Sequence, residues 1–477
     1  MESVNKKIDY LLSLPESQVF DCKRALIKPS KIIETVCAFA NTDGGIIALG
    51  MEDPKKAPKT ERLLGIGEGA DNVSDILNAL DKEFEPPLFP VEKQYIDIIN
   101  TENKKDQILL LVIKKGEDIH SLKNGDTFRR DGNKNHKMGA SEITRLRYEK
   151  GSLKYEDERA VTAGLDDLNL EMLNKYKSDT NSQNTEDWQF LKDNGLAARD
   201  NDKWVLHKSA ILLFGKNPAV TLRSKTSIKI SHYYGKSRNY SGDPNFVMRP
   251  FTIEGCLLEQ IQQAMDYYRK VVRESPPKLV GASFLPTILI PEWAFQEAVT
   301  NAVIHRNYFL EDDIQIRFFD DRIEIESPGA YPGYITPQNI RSERFARNPM
   351  LQRTLNRFNN APNLDIGEGV DRIFKVMSDN NLYDPRYSLV SEKPNSVLLT
   401  LYNMQKIEYW DTVSNYLDDN LTITNQETRE ITGIQDTPKV SRLLKKWVDD
   451  GLLERVESGY KGGIYYKKPG IIVPLDK

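Results

Sequence analysis

The segment Glu297-Ala-Val-Thr-Asn301-Ala-Val-Ile-His305-Arg-Asn307-Tyr308 restricts what this chain can fold into more than any other. Its apolar residues recur at helical spacing, and Glu297, Asn301 and His305 stand at i, i+4 and i+8, so they share one helix face. The period then changes. Ile314, Ile316 and Phe318 alternate with polar residues, Asp320-Asp321 makes a turn, and Ile323 and Ile325 resume the alternation, which predicts a hairpin. Ser327-Pro-Gly329 ends it. The helix face carries a carboxylate, an amide and an imidazole in a row. An amide oxygen can enter the octahedral shell of a Mg²⁺ that bridges nucleotide phosphates, and a carboxylate one turn earlier can orient an attacking water. The same row also suits a polar edge that is merely solvated or hydrogen-bonded. Further on, Gly367-Glu-Gly369 immediately precedes an apolar helical run, where bare backbone can approach phosphates at a helix N-terminus.

In this order, EAVTNAVIHRNY, DDRIEIESPG, the Arg347-Asn-Pro349 triplet and GEGVDRIFKVM resemble the GHKL-like ATP-binding region at the C-terminus of bacterial RecG-like and Schlafen-AlbA-like proteins. The resemblance spans about residues 280–405. It implies ATP and Mg²⁺ as ligands, with Glu297 as the catalytic glutamate, Asn301 as the magnesium-coordinating asparagine, and Gly367 and Gly369 beside the nucleotide. Asp321 becomes the counterpart of the acid that recognises adenine. The chain departs from the family in one respect, because DRIEIESPG stands where a DxGxG motif is usual.

With 477 residues, 39% hydrophobic and 29% charged, the chain can bury several cores, and usual domain sizes suggest about three or four. Its formal net charge of −4 excludes a generally basic coat, so nucleic-acid contact has to come from local patches. No apolar run approaches the length of a membrane span, and the N-terminal stretch lacks a signal-peptide core; a cytoplasmic protein without membrane contact is expected. Cys22, Cys37 and Cys256 are scattered and odd in number, which fits reduced thiols and offers no disulfide framework or zinc site.

Near the N-terminus, a short amphipathic helix over residues 5–13 precedes an alternating strand, Gln18 to Lys23. A helix with Ser30 as its cap runs into Asn41-Thr-Asp-Gly-Gly45, and the strand Ile46 to Gly50 ends at Met51-Glu52-Asp53. The wording ESQVFDCK, then CAFANTDGGIIALGMED, then Phe128-Arg129-Arg130-Asp-Gly132 resembles the Schlafen AlbA_2 domain over about residues 10–148. That resemblance implies three carboxylates holding Mg²⁺ or Mn²⁺ over an RNA phosphodiester, at Glu16, Asp21 and Asp53 with Lys23 nearby. Asp21 stands where the pattern more often has glutamate. Carboxylates at strand ends can bind a metal that activates water. The same residues also suit the solvated edge of a domain that binds nucleic acid or another subunit without cutting. The basic run Arg129, Arg130, Lys134 and Lys137 can meet phosphates or form a solvated turn.

After a mixed-charge linker, Trp204 to Pro218 resembles the LTxAxxLLFGxxP connector of the same proteins, and His207 and His232 are read as structural or surface histidines. At the C-terminus three predicted helices follow one another: Tyr409 to Leu417, a second capped by Thr424 and stopped by Gly433, and a third from Thr437 with Pro438 near its start. A hairpin completes a winged helix. Lys439, Arg442, Lys445 and Lys446 line the third helix within reach of a DNA groove and Lys461 sits on the wing, tempered by Asp449, Asp450 and Glu454.

The expected fold class is therefore α+β multidomain: a Schlafen AlbA_2-like α/β domain (1–150), a helical/β connector (151–279), a GHKL-like α/β sandwich (280–405) and a winged helix-turn-helix (406–477). Three functions stay open at this stage. They are an ATP-regulated DNA-binding transcriptional regulator, a metal-dependent Schlafen-like endoribonuclease acting on transfer or other RNA in phage defence, and a scaffold with a vestigial pocket. A homo-oligomer is expected, because paired half-sites give avidity.

Overall fold

The structure is a computed structural model, and it describes residues 2–88, 90–184, 186–239, 241–276, 278–280, 283–285, 287–362, 367–390, 396–457 and 464–469. Two compact units emerge, Met1–Ile143 together with Ile407–Lys477, and Thr144–Lys406.

In the first unit, Phe20–Lys23 pairs in parallel with Gly45–Leu49, which pairs antiparallel with Lys105–Ile113, and that strand with Glu92–Ile99. A parallel pair needs a crossover, and the helix Pro29–Asn41 supplies it. Ser30, expected as the cap, lies inside this helix. Lys28 holds the cap position without a side-chain bond, because Pro29 starts the first turn one residue earlier. Ile32, Ile33, Val36 and Phe39 then enter the core beside Ile47 and Leu111.

The polar positions of the motif after this helix have structural causes. Asn41 is buried, donating Nδ2 to the carbonyls of His120 (2.7 Å) and Phe128 (2.9 Å) and accepting from the His120 N–H (2.8 Å). Gly45 leaves no room for a side chain, since a Cβ would stand 2.8 Å from the Val19 carbonyl oxygen.

The C-terminal part of this unit has the three helices and hairpin of a winged helix: Trp410–Asp419, Asn425–Thr432, Thr437–Asp449, then Glu454–Glu457 paired with Ile464–Lys467. Thr424 caps the middle helix through a reciprocal pair, Glu427 N–H to Thr424 Oγ1 (3.1 Å) and Thr424 N–H to Glu427 Oε2 (2.8 Å). Gly433 ends it in the left-handed region at φ +73°. Trp447, fully buried, meets Trp410 at 5.3 Å between ring centroids.

The second unit is built on a six-stranded sheet whose order is Phe246–Ile253, Ile228–Tyr233, Ile314–Phe318, Arg322–Pro328, Ser396–Tyr402, Arg386–Leu389. Ile228 stands opposite Ile314 and Ile230 opposite Ile316 in its parallel pair. The boundary expected between residues 279 and 280 therefore runs through the sheet. The helices Leu257–Glu274 and Glu292–His305 pack on it, with Tyr268 stacked on Phe295 at 4.6 Å and Phe295 against Phe318 at 5.8 Å. One hydrophobic core runs through residues as far apart as Tyr155 and Leu401. His207 and His232 are structural, as expected, bonded through Nδ1 to the Gly195 carbonyl (2.9 Å) and the Tyr267 hydroxyl (3.2 Å).

Within this unit Glu156, 1% exposed, accepts from the backbone N–H groups of Met350 and Leu351, both at 2.9 Å, at the start of the helix Pro349–Leu355. Burial outweighs these two bonds and pushes its carboxyl up to about 7. A folded-state value above the unfolded one means the native state holds the proton more tightly. The associated stability is complete below the ordinary carboxylate range and is lost as pH rises towards 7. The melting temperature of Glu156→Gln minus that of the wild type should therefore increase between pH 5 and pH 8. A constant difference across that window refutes the assignment.

Candidate functional site

A cavity of about 600 Å³ opens in the second unit against the helix Glu292–His305. Glu297, Asn301 and His305 all line it, so the row read from the sequence faces one space. Asn301 Nδ2 donates to Glu297 Oε1 at 3.2 Å, which fixes the amide and leaves its oxygen with no hydrogen-bond partner among the described residues. Gly369 begins the helix Gly369–Asp379 directly against this pair; a Cβ there would fall 1.9 Å from Glu297 Oε1. Gly367, at φ +69°, likewise has the Arg344 guanidinium on it, 2.4 Å from where a Cβ would stand. Gly369 leaves no room for a side chain against the buried Glu297, and Gly367 has a left-handed backbone that favours glycine.

Other walls went unnoticed in the sequence. Ser327 and Gly329 come from the break that ends the hairpin, and Tyr387 from the edge strand Arg386–Leu389. Burial first, and the Glu297 charge second, push the Tyr387 phenol far above its ordinary value. Ser327 Oγ donates to the Ala302 carbonyl (2.9 Å) and ties the strand to the helix. Asp321 is not in the cavity wall. It lies at the opposite end of Arg322–Pro328, ion-paired to Arg322 at 2.9 Å, and six strand steps put the two ends roughly 20 Å apart. The assignment of Asp321 to adenine is thus corrected: the hairpin contributes to the cavity wall from its Ser327–Gly329 end.

The N-terminal carboxylates are arranged differently. Lys23 Nζ lies between Glu16 Oε1 (3.0 Å) and Asp21 Oδ1, while Arg130 Nη1 takes Asp21 Oδ2 at 3.1 Å. Asp21 and Arg130 are 2% and 1% exposed, so this pair is buried and Arg130 cannot meet a phosphate. Burial and then Asp21 push the Glu16 carboxyl up. Burial alone would lower the Lys23 ammonium, but Asp21 and Glu16 prevail and raise it. Asp53 caps its own turn, its Oδ1 accepting from the Lys55 N–H at 2.8 Å, and no hydrogen bond or ion pair joins it to the other two. Among the described residues no three His, Cys, Asp or Glu side chains are grouped to hold a metal ion. As placed, these residues do not fit the metal centre expected of them, because two cations already compensate the two clustered carboxylates.

On the winged helix, Lys439, Arg442, Lys445 and Lys446 are all exposed along Thr437–Asp449. Lys461 lies outside the described residues. No helix among the described residues is long and apolar enough to cross a membrane.

Residues 16–139 match the family model "Schlafen, AlbA_2", and residues 311–401 match "Putative ATP-dependent DNA helicase recG C-terminal". The chain joins a Schlafen AlbA_2 region to a RecG-type C-terminal region. Both recognitions made from the motifs therefore hold, although the RecG-type match begins after Asn301. No curated protein matches the chain. The crystal structure of the DIP2311 protein from Corynebacterium diphtheriae aligns over 97% of this chain and 96% of its own, at 18% identity and a TM-score of 0.42.

In the Schlafen AlbA_2 region, Asp21 and Arg130 hold each other inside the domain, and breaking a buried pair by removing one partner costs about 3–5 kcal/mol. Asp21→Ala should lower the urea-unfolding free energy of this region by that amount, whereas Asp53→Ala should change it by less than about 1 kcal/mol, as expected of a substitution at a more exposed turn. Equal effects would show that Asp21 is not the buried anchor described.

Proposed function

We propose that this chain is an ATP-regulated nucleic-acid-binding protein, a transcriptional regulator whose winged helix contacts DNA and whose RecG-type pocket takes ATP with Mg²⁺. The observation that carries this reading is the Glu297–Asn301 pair set against Gly369 in a cavity of about 600 Å³. The donor set fits the ligand: an uncommitted amide oxygen for the metal, and side-chain-free backbone where phosphates approach a helix N-terminus. When bound, Mg²⁺ supplies charge neutralisation along the phosphates. Asn301 holds Glu297 in place through its amide, and Glu297 is positioned to orient a water at the terminal phosphate. His305 closes the far end of the row.

The RecG-type match, to the C-terminal region of a putative ATP-dependent DNA helicase, supports nucleotide and DNA as ligand classes. The Schlafen AlbA_2 region acts in this reading as a binding module, since Lys23 and Arg130 neutralise Glu16 and Asp21 where a nuclease would need them for metal. The protein works in the cytoplasm, as a dimer on paired half-sites.

Calorimetric titration of ATP with Mg²⁺ should give saturable binding to the wild type. Asn301→Ala should weaken it at least about tenfold, because a lost contact to a charged group is worth about 1.5–3 kcal/mol, and Gly369→Ala should weaken it too, because its Cβ would fall 1.9 Å from Glu297 Oε1. Equal affinities in wild type and Asn301→Ala would remove the pocket assignment. For DNA, the double change Arg442→Ala and Lys446→Ala should reduce the slope of log K against log salt by about two, one for each lost phosphate contact. An unchanged slope would move the DNA-binding surface elsewhere.

A further inference from the structure

We infer that Arg344 is the residue by which this pocket distinguishes a nucleoside triphosphate from the corresponding diphosphate. The inference rests on the nucleotide reading above and adds a discriminating residue to it. Three arginines stand around the cavity: Arg341, Arg344 and Arg372. Two are committed within the protein. Arg341 Nε pairs with Asp371 at 2.8 Å and its guanidinium lies 4.5 Å from the Phe374 ring centroid, while the Arg372 guanidinium lies 5.2 Å from that of Trp293. Arg344 is exposed, and its guanidinium has neither an ion pair nor a hydrogen bond among the described residues. It is held through its backbone, whose carbonyl accepts from the Tyr334 hydroxyl at 2.8 Å.

The position of that unpaired cation is what gives it a role. The guanidinium lies on Gly367, two residues before Gly369, and Gly369 in turn touches the Glu297 carboxylate. Glu297, Gly369, Gly367 and Arg344 thus follow one another along the cavity wall, over a reach of at most about 7 Å between the two glycine Cα atoms. That reach is short enough for one phosphate group, its oxygens turned to both sides, to stand between a water on Glu297 and the Arg344 guanidinium. A water oriented by Glu297 must face the terminal phosphate, so this phosphate lies on the glycine side of the cavity, next to Arg344. A planar guanidinium offers two parallel N–H donors to phosphate oxygens, and charge-assisted bonds of this kind are the stronger class. The terminal phosphate carries the charge that ADP lacks. An exposed arginine at that end therefore gains a partner only with ATP.

The test compares dissociation constants of ATP and ADP, each with Mg²⁺, for the wild type, Arg344→Gln, Arg344→Lys and Arg341→Gln. Arg344→Gln should weaken ATP at least about tenfold and ADP less than about twofold, collapsing the preference between them. Arg344→Lys, which keeps charge but loses the fork, should fall between. Arg341→Gln, whose guanidinium is already paired with Asp371, should leave the ratio of the two constants unchanged. Circular dichroism should be the same for all four proteins, since the altered side chains are exposed. If Arg344→Gln weakens ATP and ADP equally, or neither, the inference falls while the pocket assignment stands. If the wild type binds neither nucleotide, the nucleotide reading itself fails and takes this inference with it.

Discussion

A buried guanidinium helps to hold the cavity in shape. Arg347, 3% exposed, donates to the carbonyls of His305 (2.7 Å), Glu149 (3.1 Å) and Ala330. These carbonyls belong to the end of the pocket helix, the end of the helix Ala140–Lys150, and the turn that follows the hairpin. Burying a charge is costly unless polar groups replace water, and here burial lowers the guanidinium to about 10 even with Glu149 nearby. The neighbouring residues make room for it. A Cβ on Gly329 would fall 2.5 Å from Arg347 Nη1, so the glycine of the Ser327-Pro-Gly329 break is required by this side chain. Asn348 continues the clamp, its Nδ2 donating to the carbonyls of Ile304 and Arg306, both at 2.8 Å. The row of Glu297, Asn301 and His305 can face a cavity because the helix that carries it is fastened at this end.

What the sequence disclosed well was local. Residues four apart on a helix share a face whatever surrounds it, so the pocket row was legible from residues 297–305 alone. Thr424 and Gly433 mark the ends of one helix by chemistry confined to that helix, and three helices followed by a hairpin describe a winged helix. The hairpin turn at Asp320-Asp321 was equally plain. Which of its residues line the pocket is not, because that depends on packing between elements, and Asp321, matched to the adenine-recognising acid by resemblance, stands outside the cavity wall.

Contacts between distant residues were hidden altogether. Asp21 and Arg130 are 109 positions apart, and nothing near either residue announces that they neutralise each other inside the domain. Isolated, Asp21 resembles a metal ligand and Arg130 a phosphate contact; together they form a buried pair that withdraws both from ligand chemistry. Gly369 and Glu297 give the opposite case. Both had been selected separately, one for its backbone and one for its carboxylate, and the fold brings them into direct contact. Arg344 and Tyr387 carried no local signal beyond, for the arginine, membership of a basic stretch. Their part in the cavity comes wholly from tertiary placement.

The parallel register between Ile228–Tyr233 and Ile314–Phe318 has a consequence for how such a protein can have been assembled. A strand supplied from the middle of the chain pairs with the first strand of the hairpin that ends at the pocket. Gene rearrangement that transferred the pocket without residues 228–274 would carry away a sheet with its interior opened to water. The inheritable module is therefore the longer segment. The stretch between the two matched regions thus supplies two strands of the sheet on which the pocket helix packs.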